Sequence, residues 1–200
     1  DLVYTIREGT AFKLVGSATD LDERDVLTYS WEQVDDGITT RSTFGPTKTS
    51  GAVWRSRPPS TNPTRYMPVK SRVLSGELTE TNPGVTVDNI SWETVSTVAR
   101  SLDFALTVRD RSETNGTGQF PQSDFDFMTV TVDGNSGPFA VISQTANETW
   151  NVGESQTVTW DVAGTASGIV NTPTVNIYLS TDGGLTLPFL AANNVANDGS

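Results

Sequence analysis

The 200-residue chain has no cysteine and no histidine, and its 13 Lys and Arg stand against 24 Asp and Glu, a formal net charge of −11. Each shortage removes a class of chemistry. Without cysteine there is no disulfide framework and no thiolate metal site. Without histidine there is no Ser-His-Asp triad, no imidazole zinc site and no proton switch near neutral pH. The scarcity of basic residues argues against nucleic acid and anionic membrane as partners, since both are polyanions. No apolar run approaches the roughly 20 residues of a membrane helix, so no membrane insertion is expected. The sequence has neither a Gly-x-Ser-x-Gly elbow nor a phosphate-binding glycine loop followed by Lys-Ser/Thr. Oxygen ligands remain for metal chemistry, and these suit hard cations such as Ca²⁺.

What is present reads as β structure. Leu27, Tyr29 and Trp31 alternate with Thr28, Ser30 and Glu32. Phe104, Leu106 and Val108 alternate with Ala105, Thr107 and Arg109, and Phe127–Val132 repeats the pattern. Leu2–Ile6 and Ala11–Ala18 are shorter runs of the same kind, separated by the turn Glu8-Gly9-Thr10. Period two marks half-buried strands, and β-branched and aromatic residues bounded by Gly, Asp and Asn reinforce it. No window has a convincing helical period; a turn or two near Ser91–Thr97 is the most to expect.

The cluster Asp133-Gly134-Asn135-Ser136-Gly137-Pro138 is a boundary. Beyond it, strands are expected at Phe139–Gln144, Ser155–Val162, Val175–Ser180 and Leu187–Ala192. The expected fold is all-β: two tandem immunoglobulin-like sandwiches. Residues 1–135 form an elaborated immunoglobulin/cadherin-like unit and 136–200 a second, short or incomplete unit. The chain opens on Asp1 without a signal peptide, which reads as a piece of a longer, processed protein.

Between Trp31 and Phe104 lies a long excursion, from about Asp35 to Arg100. It contains Arg57-Pro58-Pro59 and Pro63-Thr64-Arg65-Tyr66-Met67-Pro68. Prolines at that density do not sit in a central sheet. A structureless loop of this length is unusual in a compact domain, so extra strands are expected inside it, at Ser71–Ser75 and Val85–Val87.

Two acidic loops are the candidate site. Asp20, Asp22 and Asp25 crowd one turn; Asp110, Asp124 and Asp126 flank another. Loops at one end of a sandwich lie together, and carboxylates that converge repel unless a cation sits between them. The first loop is not an EF-hand, because Asp25 and Trp31 stand where that motif needs Gly and Glu. Two readings stand side by side. The six carboxylates hold Ca²⁺, or they form a solvated surface paired with Arg24, Arg109 and Arg111. Among the tryptophans, Trp31 and Trp160 read as core, while Trp54, Trp92 and Trp150 lie near loops, where an exposed aromatic row would bind carbohydrate or peptide.

Several segments in this order carry a family resemblance. They are Ala11–Asp20, Leu27-Thr28-Tyr29-Ser30-Trp31-Glu32-Gln33, Pro63-Thr64-Arg65-Tyr66 and Phe104–Asp110, then Gly137-Pro138-Phe139, Trp160-Asp161-Val162-Ala163-Gly164-Thr165 and Ser180-Thr181-Asp182-Gly183-Gly184. Over nearly the whole chain the pattern resembles the non-catalytic region downstream of the catalytic domain in secreted bacterial reprolysin-like zinc metalloproteases. The Ala-Thr-Asp and Leu-Thr-Tyr-x-Trp pieces are shared with cadherin-like and polycystic-kidney-disease-like modules. That family's zinc site is a His-Glu-x-x-His-x-x-Gly-x-x-His motif, none of which exists here. Its acidic turn reads Asp-x-Asp-Gly-Asp, whereas Glu23-Arg24 stands between Asp22 and Asp25 here.

The resemblance implies a secreted or cell-surface accessory region, not an enzyme, with no zinc in this chain. Its first partner would be an upstream catalytic domain of the same polypeptide. An extracellular protein or carbohydrate is a further expected partner. The competing expectation is a calcium-dependent adhesion module of a cell-surface protein.

Overall fold

The computed structural model describes residues 2–21, 25–84, 90–110, 121–135 and 137–200. Among the described residues the regular structure is almost all β-strand, in keeping with the period-two patterning. A four-stranded sheet has the order β1-β6-β5-β3, formed by β1 (Leu2–Arg7), β3 (Thr28–Gln33), β5 (Arg100–Arg109) and β6 (Ser123–Asp133). β1 runs parallel to β6, while β5 is antiparallel to both β6 and β3. β2 (Phe12–Val15) and β4 (Thr64–Met67) make a two-stranded antiparallel ribbon.

Register decides which side chains share a face, because directly paired residues project the same way. One face carries Ile6, Leu102, Phe104, Leu106, Val130 and Val132, with Trp31 opposite Leu106. These residues belong to one buried cluster or pack against it. The other side of that cluster is not a second full sheet. It is the β2–β4 ribbon together with the excursion, which contributes Phe44, Val53, Trp54 and Val95. Phe12 meets Trp54 and Phe104 edge-on, at centroid distances of 5.7 and 6.1 Å, the geometry aromatic quadrupoles favour.

The excursion is pinned by buried polar groups. Glu93 is fully buried. It accepts hydrogen bonds from Arg57 Nε at 2.7 Å, Arg65 Nη2 at 3.1 Å and the Val69 N–H at 2.7 Å. Burial pushes the Arg65 guanidinium down from its ordinary value, with the Glu93 carboxylate acting in the opposite sense. Arg72 donates to the carbonyls of Glu77, Thr79 and Glu93 and to the Glu80 carboxylate. Gln33 Oε1 receives the N–H groups of both Val53 and Trp54. Irregular backbone can be buried here because side chains supply the partners a sheet would have supplied.

Two details of the excursion differ from expectation. The segment expected as a strand, Ser71–Ser75, lies in the helix α1 (Lys70–Ser75), so helix forms here rather than near Ser91–Thr97. Gly76 ends it in the left-handed conformation, with hydrogen bonds back to Arg72 and Val73, the usual helix stop. Among the described residues the excursion's strand is instead β4, bracketed by Pro63 and Pro68 and paired there on one side only, which respects the missing proline N–H. Val85–Val87 lies outside the described residues.

Beyond residue 136 the strands form two separate two-stranded pairs. β7 (Ala140–Val141) pairs with β8 (Trp160–Asp161), and β9 (Thr174–Leu179) pairs with β10 (Phe189–Ala196) through two register irregularities. Trp160 is buried, as expected. Its Nε1 donates to Asn197 Oδ1 at 2.8 Å, and Asn197 Nδ2 reaches Thr165 and Thr172.

Contacts join this part to the rest. Arg7 pairs with Asp133 and donates to the Gly164 carbonyl at 2.6 Å. Lys70 Nζ donates to the Leu185 carbonyl. At the connection, Gly137 has φ +144°, and a Cβ there would lie 2.6 Å from the Glu8 carbonyl oxygen, so only glycine fits.

Candidate functional site

The register that builds the sheet also sets the site. Thr28 opens β3 opposite Arg109, the last residue of β5. The loop before β3 and the residue after β5 therefore meet at one end of the sheet. Gly16, just past β2, brings the chain to that end: a Cβ there would sit 2.5 Å from the Leu106 side chain. Asp110 is held by a two-way exchange with Gln122: its N–H donates to the Gln122 carbonyl at 3.1 Å, and its Oδ2 accepts the Gln122 N–H at 3.3 Å.

Carboxylate oxygens of Asp20, Asp25 and Asp110 lie within 4.8 Å of one another. Asp20 is exposed; Asp25 and Asp110 are half-buried. Three acidic groups this close carry mutual repulsion that a divalent cation relieves, and carboxylates supply several of the six to eight oxygens that Ca²⁺ takes. Backbone carbonyls and water are the usual source of the others.

Of the remaining expected residues, Asp124 and Asp126 fall outside this group of three. Asp22 lies outside the described residues, as do Arg24 and Arg111, named as counter-charges. Asp124 and Asp126 are not loop residues. β6 begins at Ser123, earlier than the alternation starting at Phe127 indicates, and carries both within the strand. They lie opposite Val108 and Leu106, on the inner face of the sheet. Each accepts a hydrogen bond at 2.8 Å from the N–H of the next residue, Phe125 or Phe127.

Around these groups the inner face is uncovered. A cleft of about 880 Å³ separates β2 from the β1–β6 side of the sheet. Leu2 and Tyr4 project into it from the core face of β1, yet are 60% and 55% exposed. Asp20, Asp110, Asp124 and Asp126 line it, and Lys13 is its one cation among the described residues. Phe125 and Phe127 lie by register on the outer face, with ring centroids 5.4 Å apart.

The tryptophans near loops divide three ways. Trp54 is core, Trp92 is packed against that core, and Trp150 is 42% exposed. The Glu93 network was not visible in the sequence. Its members come from Arg57, Arg65 and Glu93, and only the fold of the excursion brings them together. The inward position of Asp124 and Asp126 was visible in principle: extending the period two back from Met128 puts both on its face. The chain matches no family model, no curated protein and no solved structure.

Proposed function

We propose that this chain is a non-catalytic accessory region of a secreted bacterial metalloprotease, built as two tandem immunoglobulin-like sandwiches over residues 1–135 and 136–200. On this reading it stabilises and spaces an upstream catalytic domain of the same polypeptide. Ca²⁺ held by Asp20, Asp25 and Asp110 ties the loop before β3 to the end of β5. The convergence of these three carboxylates, from loops far apart in sequence, is the observation that carries the calcium part of the reading. The ordered string of segments from Ala11-Phe12-Lys13 to Ser180-Thr181-Asp182-Gly183-Gly184 supports the protease part.

Thermal unfolding in Ca²⁺ against EGTA tests the calcium part. A ligand that binds only the folded state adds about 2.7 kcal/mol at a hundred times its Kd, or roughly 5–10 °C for a chain of this size. Asp20→Asn with Asp110→Asn is expected to abolish that shift. A Tm unaffected by Ca²⁺ in the unsubstituted chain would falsify the reading. The coding sequence upstream tests the protease part: a His-Glu-x-x-His-x-x-Gly-x-x-His motif is expected there. Further sandwich repeats or a wall anchor would instead point to an adhesion module.

A further inference from the structure

We infer that the cleft between β2 and the β1–β6 side of the sheet receives an extended segment of another polypeptide. That segment pairs with the free edge of β2 and sets two basic side chains against Asp124 and Asp126. The proposal is independent of the cation reading, which uses other carboxylates.

Three observations carry it. The first is an open edge: among the described residues β2 is hydrogen-bonded to β4 alone, and its other edge borders the cleft. An unpaired edge is a ready template for a further strand. The second is an uncovered inner face. Leu2, Tyr4 and Met128 lie on the side that buries Val130 and Leu102, but no strand of the described residues lies over Leu2 and Tyr4. A strand added at β2 would stack over them at the roughly 10 Å spacing of packed sheets.

The third observation is charge. Asp124 and Asp126 stand on this inner face where Val108 and Leu106 lie across from them, so the pattern along β6 reads acid, acid, Met128, Val130. Inward carboxylates beside apolar side chains carry a desolvation cost when an apolar strand covers them. A strand with Lys or Arg at alternate positions removes that cost, because long basic side chains span the gap and lay their stems along the apolar side chains beside the carboxylates, Val108 and Leu106. Two residues along a strand cover about 6.6 Å, so the partner's basic residues fall at i and i+2, with an apolar residue at i+4 over Met128. Lys13 is the cleft's one cation among the described residues, and Asp124 and Asp126 by themselves outnumber it, which disfavours an acidic segment.

The probe is a labelled nine-residue peptide, Thr-Lys-Thr-Lys-Thr-Leu-Thr-Val-Thr, with its Lys→Glu counterpart as control. Fluorescence anisotropy with the 200-residue chain is run in Ca²⁺ and in EGTA. The Lys peptide is expected to bind at least tenfold tighter than the Glu peptide and to shift the amide resonances of Phe12–Val15. Asp124→Asn with Asp126→Asn exchanges exposed carboxylates for amides of the same shape, so the fold is retained, checked by an unchanged Tm. This variant is expected to lose at least tenfold in affinity for the Lys peptide and little for the Glu peptide. Equal affinity for the two peptides, or binding that ignores the double substitution, overturns the proposal. So does binding in neither buffer, or binding that leaves the amide resonances of Phe12–Val15 unmoved. Sedimentation of the chain alone covers the remaining occupant: dimerisation lost in the double variant assigns the cleft to a second copy and overturns the proposal as stated.

Discussion

Between Leu2 and Asp133, and again beyond Gly137, the described residues fold around β-strands, but the two regions are held by different means. The first gathers Trp31, Phe44, Trp54, Leu102 and Phe104 into one buried cluster and adds a buried carboxylate with its arginines. In the second, the buried side chains are Trp160, Ala163, Thr165 and Asn197. Tyr178, Leu179, Phe189 and Leu190 of its β9–β10 ribbon are about half exposed. Apolar area holds the first region. In the second, a few hydrogen bonds converging on one asparagine take a larger share. Hydrogen bonds are directional and individually modest, so the second region depends on fewer positions.

The largest expected effect breaks the first region alone. Phe104→Ala empties a fully buried site, and truncations of this kind cost about 3–5 kcal/mol. Amide exchange should accelerate throughout β3, β5 and β6 while the protection of Trp160 and Asn197 changes little. Equal acceleration in both regions would show that they unfold as one unit and erase the distinction. Asn197→Ala comes next. It strands the Trp160 indole N–H and removes the bonds to Thr165 and Thr172, a loss of about 1–3 kcal/mol. Exchange should rise around Trp160 and β9 and stay unchanged at Phe104.

The smallest effect is local. Asp182 accepts hydrogen bonds from the Thr186 N–H at 2.8 Å and Thr186 Oγ1 at 2.6 Å, and from Ser180 Oγ at 2.7 Å. Its carboxyl pKa is thereby lowered to about 2. A group whose pKa falls on folding contributes fully above its unfolded value and loses that contribution as pH drops through the folded one. The Thr186 amide resonance should therefore move between about pH 4 and pH 2 in the unsubstituted chain and stay still in Asp182→Asn. Movement in both would place the titrating group elsewhere.

How much of this was legible in the sequence follows the range of the interactions. The alternation of Leu27, Tyr29 and Trp31, and of Phe104, Leu106 and Val108, is a local signal, and β3 and β5 are where it puts them. The meeting of Asp20 and Asp25 with Asp110 follows from strands ending at a common edge, so it too could be anticipated. The excursion was opaque for a physical reason. Its order comes from Glu93 finding Arg57 and Arg65 across irregular backbone, and no periodicity announces such pairs. At Ser71–Ser75 the local preferences conflict, since Val73 favours strand and Leu74 helix, and the helix that forms ends at Gly76.

The parallel pairing of β1 with β6 has a consequence in time. Arg7 meets Asp133 across 126 positions, and each rung from Leu2 to Arg7 spans a similar separation. Loops of that size close slowly, and their entropy is lost before any rung returns it. During synthesis β1 leaves the ribosome first and waits for β6. Leu2, Val3 and Tyr4 are then without their neighbour strand while the whole excursion is made. A chaperone or a bound upstream segment would have its greatest effect during that interval. The yield of folded protein should accordingly depend more on Leu2–Ile6 than their modest burial in the finished sheet suggests.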